Sequence, residues 1–314
     1  MKRVVWASGL VTLFACAPDL DVKASRVLQT RVVAVRATPA EARPGTTVTL
    51  QAIVVTPLPT PASRQIDWAF CNVPRSPSDS ITVNAACLRP LDPSVPALTQ
   101  IEGATGDVAR AQVPIDACRT IGPELPPTDE MGNPQRPPDA DITGGYQLPV
   151  RLVLSDSTGV DISFDRQRVR CNLGNAPSSA ATEYQQRYMD NQNPAFTSIV
   201  FAGSPAPADG SARFAVPRGG QYPIRVTWDA SAAENYVLFD PTTRSIQDRR
   251  ERLEIGWFTN GGSFERDRTT PDDESSTSNE LSLDSDVTEP VTVWIVLRDE
   301  RGGVGVTTLV LEPT

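Results

Sequence analysis

No histidine occurs anywhere in the chain, and that absence removes Ser-His-Asp and Cys-His catalysis together with every histidine-ligated zinc site. Lysine is almost as scarce. After Lys2 the chain has only Lys23, so no S-x-x-K nucleophile can be assembled, and no serine sits in G-x-S-x-G. Aromatic residues make up 6%, which leaves few rings for stacking on a ligand once cores are filled. The apolar run near the start is too short to span a bilayer and stay there. Proline and glycine, by contrast, are plentiful, at 29 and 20 residues, beside 39% hydrophobic residues. Such a chain can build cores but is punctuated too often for long helices, so an all-β chain with long loops is expected. A length of 314 residues, less a leader, suits two domains of about 100–150 residues.

Acidic residues outnumber basic ones by 38 to 29, giving a net charge of −9, and losing Lys2 and Arg3 with a leader makes the mature chain more acidic still. The arginines are scattered among acids and form no stripe that could track phosphates, so no nucleic-acid partner is expected. Residues 1–15 begin with Lys2 and Arg3 and continue as an apolar stretch up to Cys16, the order of an export leader. Leu13-Phe14-Ala15-Cys16 resembles the lipobox of bacterial lipoproteins. The resemblance implies that residues 1–15 are a signal peptide, that Cys16 is lipidated and becomes the new N-terminus, and that the membrane is held by acyl chains with no transmembrane helix. Each buried methylene of such a chain contributes about 0.8 kcal/mol. The plainer alternative is a secretory leader cleaved elsewhere. Ala17 stands where Asp resembles an inner-membrane retention signal in enteric bacteria, which favours the outer membrane. Residues 16–27 are polar and aperiodic and read as a lipidated tether.

Strand signals start at residues 28–36, rich in β-branched residues, and end in a turn carrying Pro39, Pro44 and Gly45. In 46–55, Thr47, Thr49 and Gln51 alternate with Val48, Leu50 and Ala52, a half-buried second strand. In 64–71, Ile66, Trp68 and Phe70 share one face. About seventy loop-rich residues follow, with weaker strands near 81–84 and 107–115. A hairpin over 146–170, turning at Asp156-Ser157-Thr158-Gly159, closes domain one at 28–172. Residues 173–195 read as a linker with a helix-compatible stretch, 180–189, in which Tyr184 and Tyr188 lie one turn apart.

From residue 196 the order of signals repeats. A first strand over 196–202, a turn at Pro217-Arg218-Gly219-Gly220, a strand over 222–228 and a Trp-bearing strand over 252–258 lead to a final hairpin over 291–311. Ile66-Asp67-Trp68 matches Ile255-Gly256-Trp257, and Val150 to Leu154 with Asp156 matches Val293 to Leu297 with Asp299. Two anchors in one order imply a repeated domain, the second at 196–314. Strand, Pro-Gly turn, strand and a central tryptophan are the opening of an Ig-like sandwich. The lipobox, Val35-Arg36-Ala37-Thr38-Pro39 with Pro44-Gly45, Gly256-Trp257-Phe258 with Gly261-Gly262-Ser263-Phe264, and Leu297-Arg298-Asp299-Glu300-Arg301-Gly302-Gly303 make the chain similar to predicted lipoproteins of myxobacteria and their relatives. That resemblance implies tandem Ig-like sandwiches and assigns no activity, because its motifs are turns and core positions.

Cys71, Cys87, Cys118 and Cys171 remain after Cys16, an even number that reads as two disulfides in an exported chain. If strand six separates strands three and seven, Cys71 and Cys171 sit about 9–10 Å apart, beyond the roughly 7 Å reach of a disulfide. That favours Cys71 with Cys87 and Cys118 with Cys171, the two other connectivities staying open. Trp68 and Trp257 read as core. Trp294 alternates away from Val293, Ile295 and Leu297, which makes it the candidate ligand-binding aromatic, unless the connector or the other domain covers it. The clusters Asp272-Asp273-Glu274 and Asp284-Ser285-Asp286 could gather oxygen ligands for calcium if their loops converge, but they lack EF-hand spacing and read by default as solvated loops, so no metal and no cofactor is expected.

The reading favoured by these residues is a non-catalytic, lipid-anchored envelope protein acting as a structural or protein-interaction module. Its partners would be the membrane and an envelope or extracellular protein. A module for envelope or extracellular polysaccharide, using Trp294, is the alternative, and a hydrolase using two carboxylates is a third possibility.

Overall fold

A computed structural model describes residues 23–57, 63–74, 83–90, 97–136, 143–157, 159–174 and 176–314. The leader, Cys16 and the start of the tether lie outside these residues. The described chain is all-β, with two sandwiches and short helices between strands.

Domain one contains β1 (Arg31–Thr38), β2 (Glu41–Ala42), β3 (Thr47–Val55), β4 (Gln65–Cys71), β5 (Leu98–Gln100), β6 (Val108–Gln112), β7 (Gly145–Asp156) and β8 (Gly159–Arg170). One sheet has the order β1-β3-β6 and the other β2-β8-β7-β4-β5. The first segment serves both sheets: β1 pairs antiparallel with β3, and after the turn at Pro39 β2 pairs parallel with β8. Alternation puts Val35, Val48, Leu50, Trp68, Phe70, Leu148, Val150, Leu152 and Leu154 into one core. Cys71 is bonded to Cys87 and Cys118 to Cys171, with Cα atoms 5.8 and 5.6 Å apart. Between β4 and β8 lies β7. The segment anticipated as a strand near 81–84 leads instead, in its described part, into a 3-10 turn, Ala85–Leu88. Asn84 Oδ1 accepts the Ala86 N–H at 2.9 Å, a local cap that competes with extended pairing and sets Cys87 in the core.

Domain two repeats this plan with β9 (Phe196–Phe201), β10 (Ser204–Ala206), β11 (Ala212–Val216), β12 (Gln221–Trp228), β15 (Leu253–Thr259), β16 (Ser263–Phe264), β17 (Arg268–Thr269), β18 (Ser276–Ser282), β19 (Val291–Asp299) and β20 (Val304–Pro313). Its sheets run β10-β9-β12-β18-β16 and β11-β20-β19-β15-β17, and β11 lies parallel to β20 as β2 lies parallel to β8. Two elements here differ from expectation. The segment read as an acidic loop ends in β18, a strand inside the sheet, where Ser276, Thr277 and Asn279 are buried. Their polar groups are satisfied: Thr277 Oγ1 donates to the Thr270 carbonyl at 2.9 Å, and Asn279 Nδ2 to that of Arg266 at 2.7 Å. A hairpin of β13 (Asn235–Asp240) and β14 (Ser245–Arg250) is inserted between β12 and β15.

The linker is folded as well. Helix α2 (Ser178–Arg187) follows the short α1 (Ala117–Thr120) of domain one, and Tyr184 and Tyr188 pack with Leu173, Ala180, Val237 and Phe239 in a small core of their own. Nor are residues 23–27 a free tether. The Val27 N–H donates to the Thr259 carbonyl at 2.8 Å, Thr259 N–H to that of Ser25 at 2.9 Å, and the Asp267 carboxylate accepts the Ala24 and Ser25 N–H groups at 3.0 and 3.1 Å. The chain thus docks on domain two before it enters domain one.

Candidate functional site at the interdomain junction

The outer faces of the two sandwiches cover each other. Ala34 and Ile53 of domain one meet Val296 and Val304 of domain two, flanked by Val33, Phe258 and Val306. Trp294 lies on the outer face of β19, as alternation requires, yet is only 9% exposed, because Val27, Val55, Val33 and Phe258 pack around it. The candidate ligand-binding aromatic is therefore an interface residue. Trp68, Trp228 and Trp257 are buried too, so no tryptophan among the described residues offers a ring to a sugar.

Above this apolar contact sits a sealed polar cluster. Glu41, at the start of β2, accepts the Tyr188 hydroxyl at 2.7 and 2.8 Å and the Asn191 N–H at 2.9 Å, and lies 3.3 Å from Arg168 Nε. Arg301, in the turn between β19 and β20, contacts Glu251 at 2.5 Å, Glu234 at 2.8 Å and Glu41 at 3.8 Å. Asp299 accepts the Gly302 and Gly303 N–H groups at 2.7 and 2.8 Å and, from the linker, Asn191 Nδ2 at 3.2 Å. Gly303 is obligatory, since a Cβ there would stand 2.1 Å from Asp299 Oδ2 and 2.7 Å from the Gln192 carbonyl. Burial, reinforced by the Asp299 charge, pushes Glu251 up to about 7 against the pull of Arg301. Burial likewise raises Asp299 and Tyr188. Glu41, Glu251 and Asp299 are closed off from solvent and held by several partners each, while Glu234 is partly exposed at the edge; the cluster joins β2, β8, the linker and the β19–β20 turn.

Beside the cluster runs a groove of ≈ 670 Å³ between the domains. Arg31, Arg166, Arg268 and Arg298 line it with Asp165, Glu254, Gln147 and Phe258. Val33 is the extra residue of a β-bulge in β1, and its carbonyl accepts a hydrogen bond from Arg298. Asp165 accepts the Val35 and Arg166 N–H groups at 2.5 and 2.9 Å.

The acidic loops are engaged locally. Asp273 accepts Ser275 N–H and Ser276 Oγ and pairs with Arg225 at 3.0 Å, while Asp284 pairs with Arg26 at 3.0 Å. Among the described residues no group of three His, Cys, Asp or Glu side chains could hold a metal ion, and no helix is long and apolar enough to cross a membrane. Sequence reasoning missed Glu41, Arg168, Tyr188 and Arg301. The available signal was β19, apolar on both faces from Val293 to Leu297, which marks a strand covered on both sides.

No protein-family model and no curated protein matches this chain. Among solved structures it is similar to the adhesin InvE of Yersinia pseudotuberculosis, at 8% identity and a TM-score of 0.23, covering 90% of this chain and 58% of that one. The D00-D0 domain of intimin aligns at 8% identity and 0.21, covering 90% and 98%. Fibronectin(III)-like modules of Clostridium thermocellum CbhA align at 9% and 0.21, covering 91% and 95%. Similarity at this level is silent on chemistry and on partners.

Proposed function

We propose that this chain is a lipid-anchored protein of the cell envelope, held through Cys16 in the outer membrane, whose two Ig-like sandwiches act as one non-catalytic interaction module. The observation that carries the reading is the junction: the domains share an apolar contact and a sealed polar cluster, so they present a composite surface with a fixed relative placement. The lipobox before Cys16 supports the anchor, and the closed state of the buried carboxylates supports a role without catalysis. Trp294, buried at the junction, no longer supports a polysaccharide site built on stacking.

The test is metabolic labelling with palmitate in cells expressing the wild type and Cys16→Ala, followed by crosslinking in intact cells. Label on the wild type alone, with an envelope protein crosslinked to it, is the expected result. Label that persists in Cys16→Ala, or never enters the wild type, overturns the anchor; a crosslinking pattern without any protein partner overturns the interaction role.

A further inference from the structure

We propose that the groove between the domains binds an oxyanion, a carboxylate or phosphate group carried by the partner, through the guanidinium groups of Arg31, Arg166, Arg268 and Arg298. This rests on the interaction-module reading and names the chemistry of the partner.

Four guanidinium groups face the same space as two carboxylates, Asp165 and Glu254, on a chain whose overall charge is −9. A local excess of positive charge against that background needs a reason. The carboxylates offset it only in part. Glu254 is taken by Arg268 at 3.0 Å. Asp165 spends its oxygens on two backbone N–H groups, and burial raises its proton affinity. The half-buried Arg298 has the Val33 carbonyl as its hydrogen-bond acceptor and no carboxylate within ion-pair distance among the described residues. Arg166 has neither an ion pair nor a side-chain hydrogen bond to a described residue. A further buried donor on the groove wall, Arg31 Nε, lacks a partner. Arg31, whose Nη2 donates to the Ala24 carbonyl, and Arg298 are partly buried and keep unused donors, while Arg166 and Arg268 are exposed at the rim; buried donors left unused are costly and are satisfied by a planar or tetrahedral oxyanion, which accepts two N–H groups at once. Phe258, with Arg31 5.8 Å above its ring, and Phe164 supply apolar wall for the body that carries the anion. The volume is within the range of small-ligand sites.

The test is isothermal titration of the purified full-length protein with trigalacturonate as the carboxylate probe, glucosamine 6-phosphate as the phosphate probe and neutral trigalactose as control. Binding of either anionic probe, none of the control, and a loss of about 10-fold or more in affinity in the double variant Arg166→Gln, Arg268→Gln is the expected result. Both side chains are exposed, so the variant should keep its unfolding midpoint, which is measured in parallel; Arg298→Gln, deeper in the wall, should weaken binding further. Failure of both anionic probes to bind below about 10 mM, or binding that the double variant leaves unchanged, overturns the site. Since the titration needs neither membrane nor cells, its failure leaves the palmitate and crosslinking results standing, and theirs leaves it standing.

Discussion

Among the described residues, the sheet formed by β1, β3 and β6 in domain one has three strands, whereas its counterpart in domain two has five. The smaller sheet is accompanied by two disulfides and long loops; the larger needs no cysteine. The matching turns differ in the same sense. Asp156 of the β7–β8 turn stands at a tip beside the exposed Val160, while Asp299 of the β19–β20 turn is buried under the linker with Arg301. One topology is thus closed in two ways, by covalent staples where strands are few and by burying its turn against a neighbour where they are many. The comparison shows that repeated sandwiches keep their plan and delegate stability to whatever each copy has at hand.

The comparison breaks most readily at Arg301. Replacement by alanine leaves the buried Glu251 and Glu41 and the partly exposed Glu234 without their shared cation, and a loss of about 3–5 kcal/mol is expected. Calorimetry should then resolve separate transitions for the two domains; a single unshifted transition would show that the cluster does not couple them. Next comes the double variant Cys118→Ser, Cys171→Ser. Its bond spans 53 residues, worth about 4 kcal/mol by loop entropy. Amide hydrogen exchange should quicken across β1 to β8 and stay slow in β9 to β20, and equal quickening in both would erase the contrast between them.

A smaller effect comes from pH. Glu251 is raised from 4.5 to about 7 by burial, so between those values the folded state binds the extra proton. Its stabilising contribution is present below about 4.5 and is lost as pH rises to 7. Urea unfolding at constant ionic strength should show stability falling by about 2 kcal/mol from pH 5 to 8, a slope that Glu251→Gln should flatten. Smallest is the difference between the two central tryptophans. Trp257 Nε1 donates to Thr269 Oγ1 at 2.9 Å, while Trp68 Nε1 has no partner among the described residues. Changing each to phenylalanine should cost about 1 kcal/mol more at 257 than at 68, measured by chemical unfolding.

Much of this fold was legible from residue order. The Ile-x-Trp strands, the proline-glycine turns and the hairpins ending both repeats fall where alternation places them, because a half-buried strand writes its buried face into every second residue. β18 was illegible for the opposite reason: Thr277 and Asn279 are buried through hydrogen bonds to the Thr270 and Arg266 carbonyls and Ser276 through one to the Asp273 carboxylate, which leave no apolar period. The β13–β14 hairpin was not anticipated: the apolar run from Tyr236 to Phe239 before Asp240-Pro241 carries a strand signal, but it has no counterpart in domain one to give it a place. The junction was half visible. Trp294 was assigned to the correct face of β19, yet what covers that face comes from residues 27, 33 and 55, and contacts between remote segments have no local signature. The groove was hidden similarly, since Arg31, Arg166, Arg268 and Arg298 are unremarkable singly and meet only when the domains dock.

The strap of residues 23–27 laid along β15 has a mechanical consequence. Tension applied to the chain ahead of Lys23 reaches the end of β15 first, through the Ser25, Val27 and Thr259 backbone bonds and the grip of Asp267. Domain one, although it comes next along the chain, is bypassed by that load until the strap peels away. Its disulfides and loops are therefore spared from bearing a pull, and the larger ten-strand sandwich takes the strain in their place.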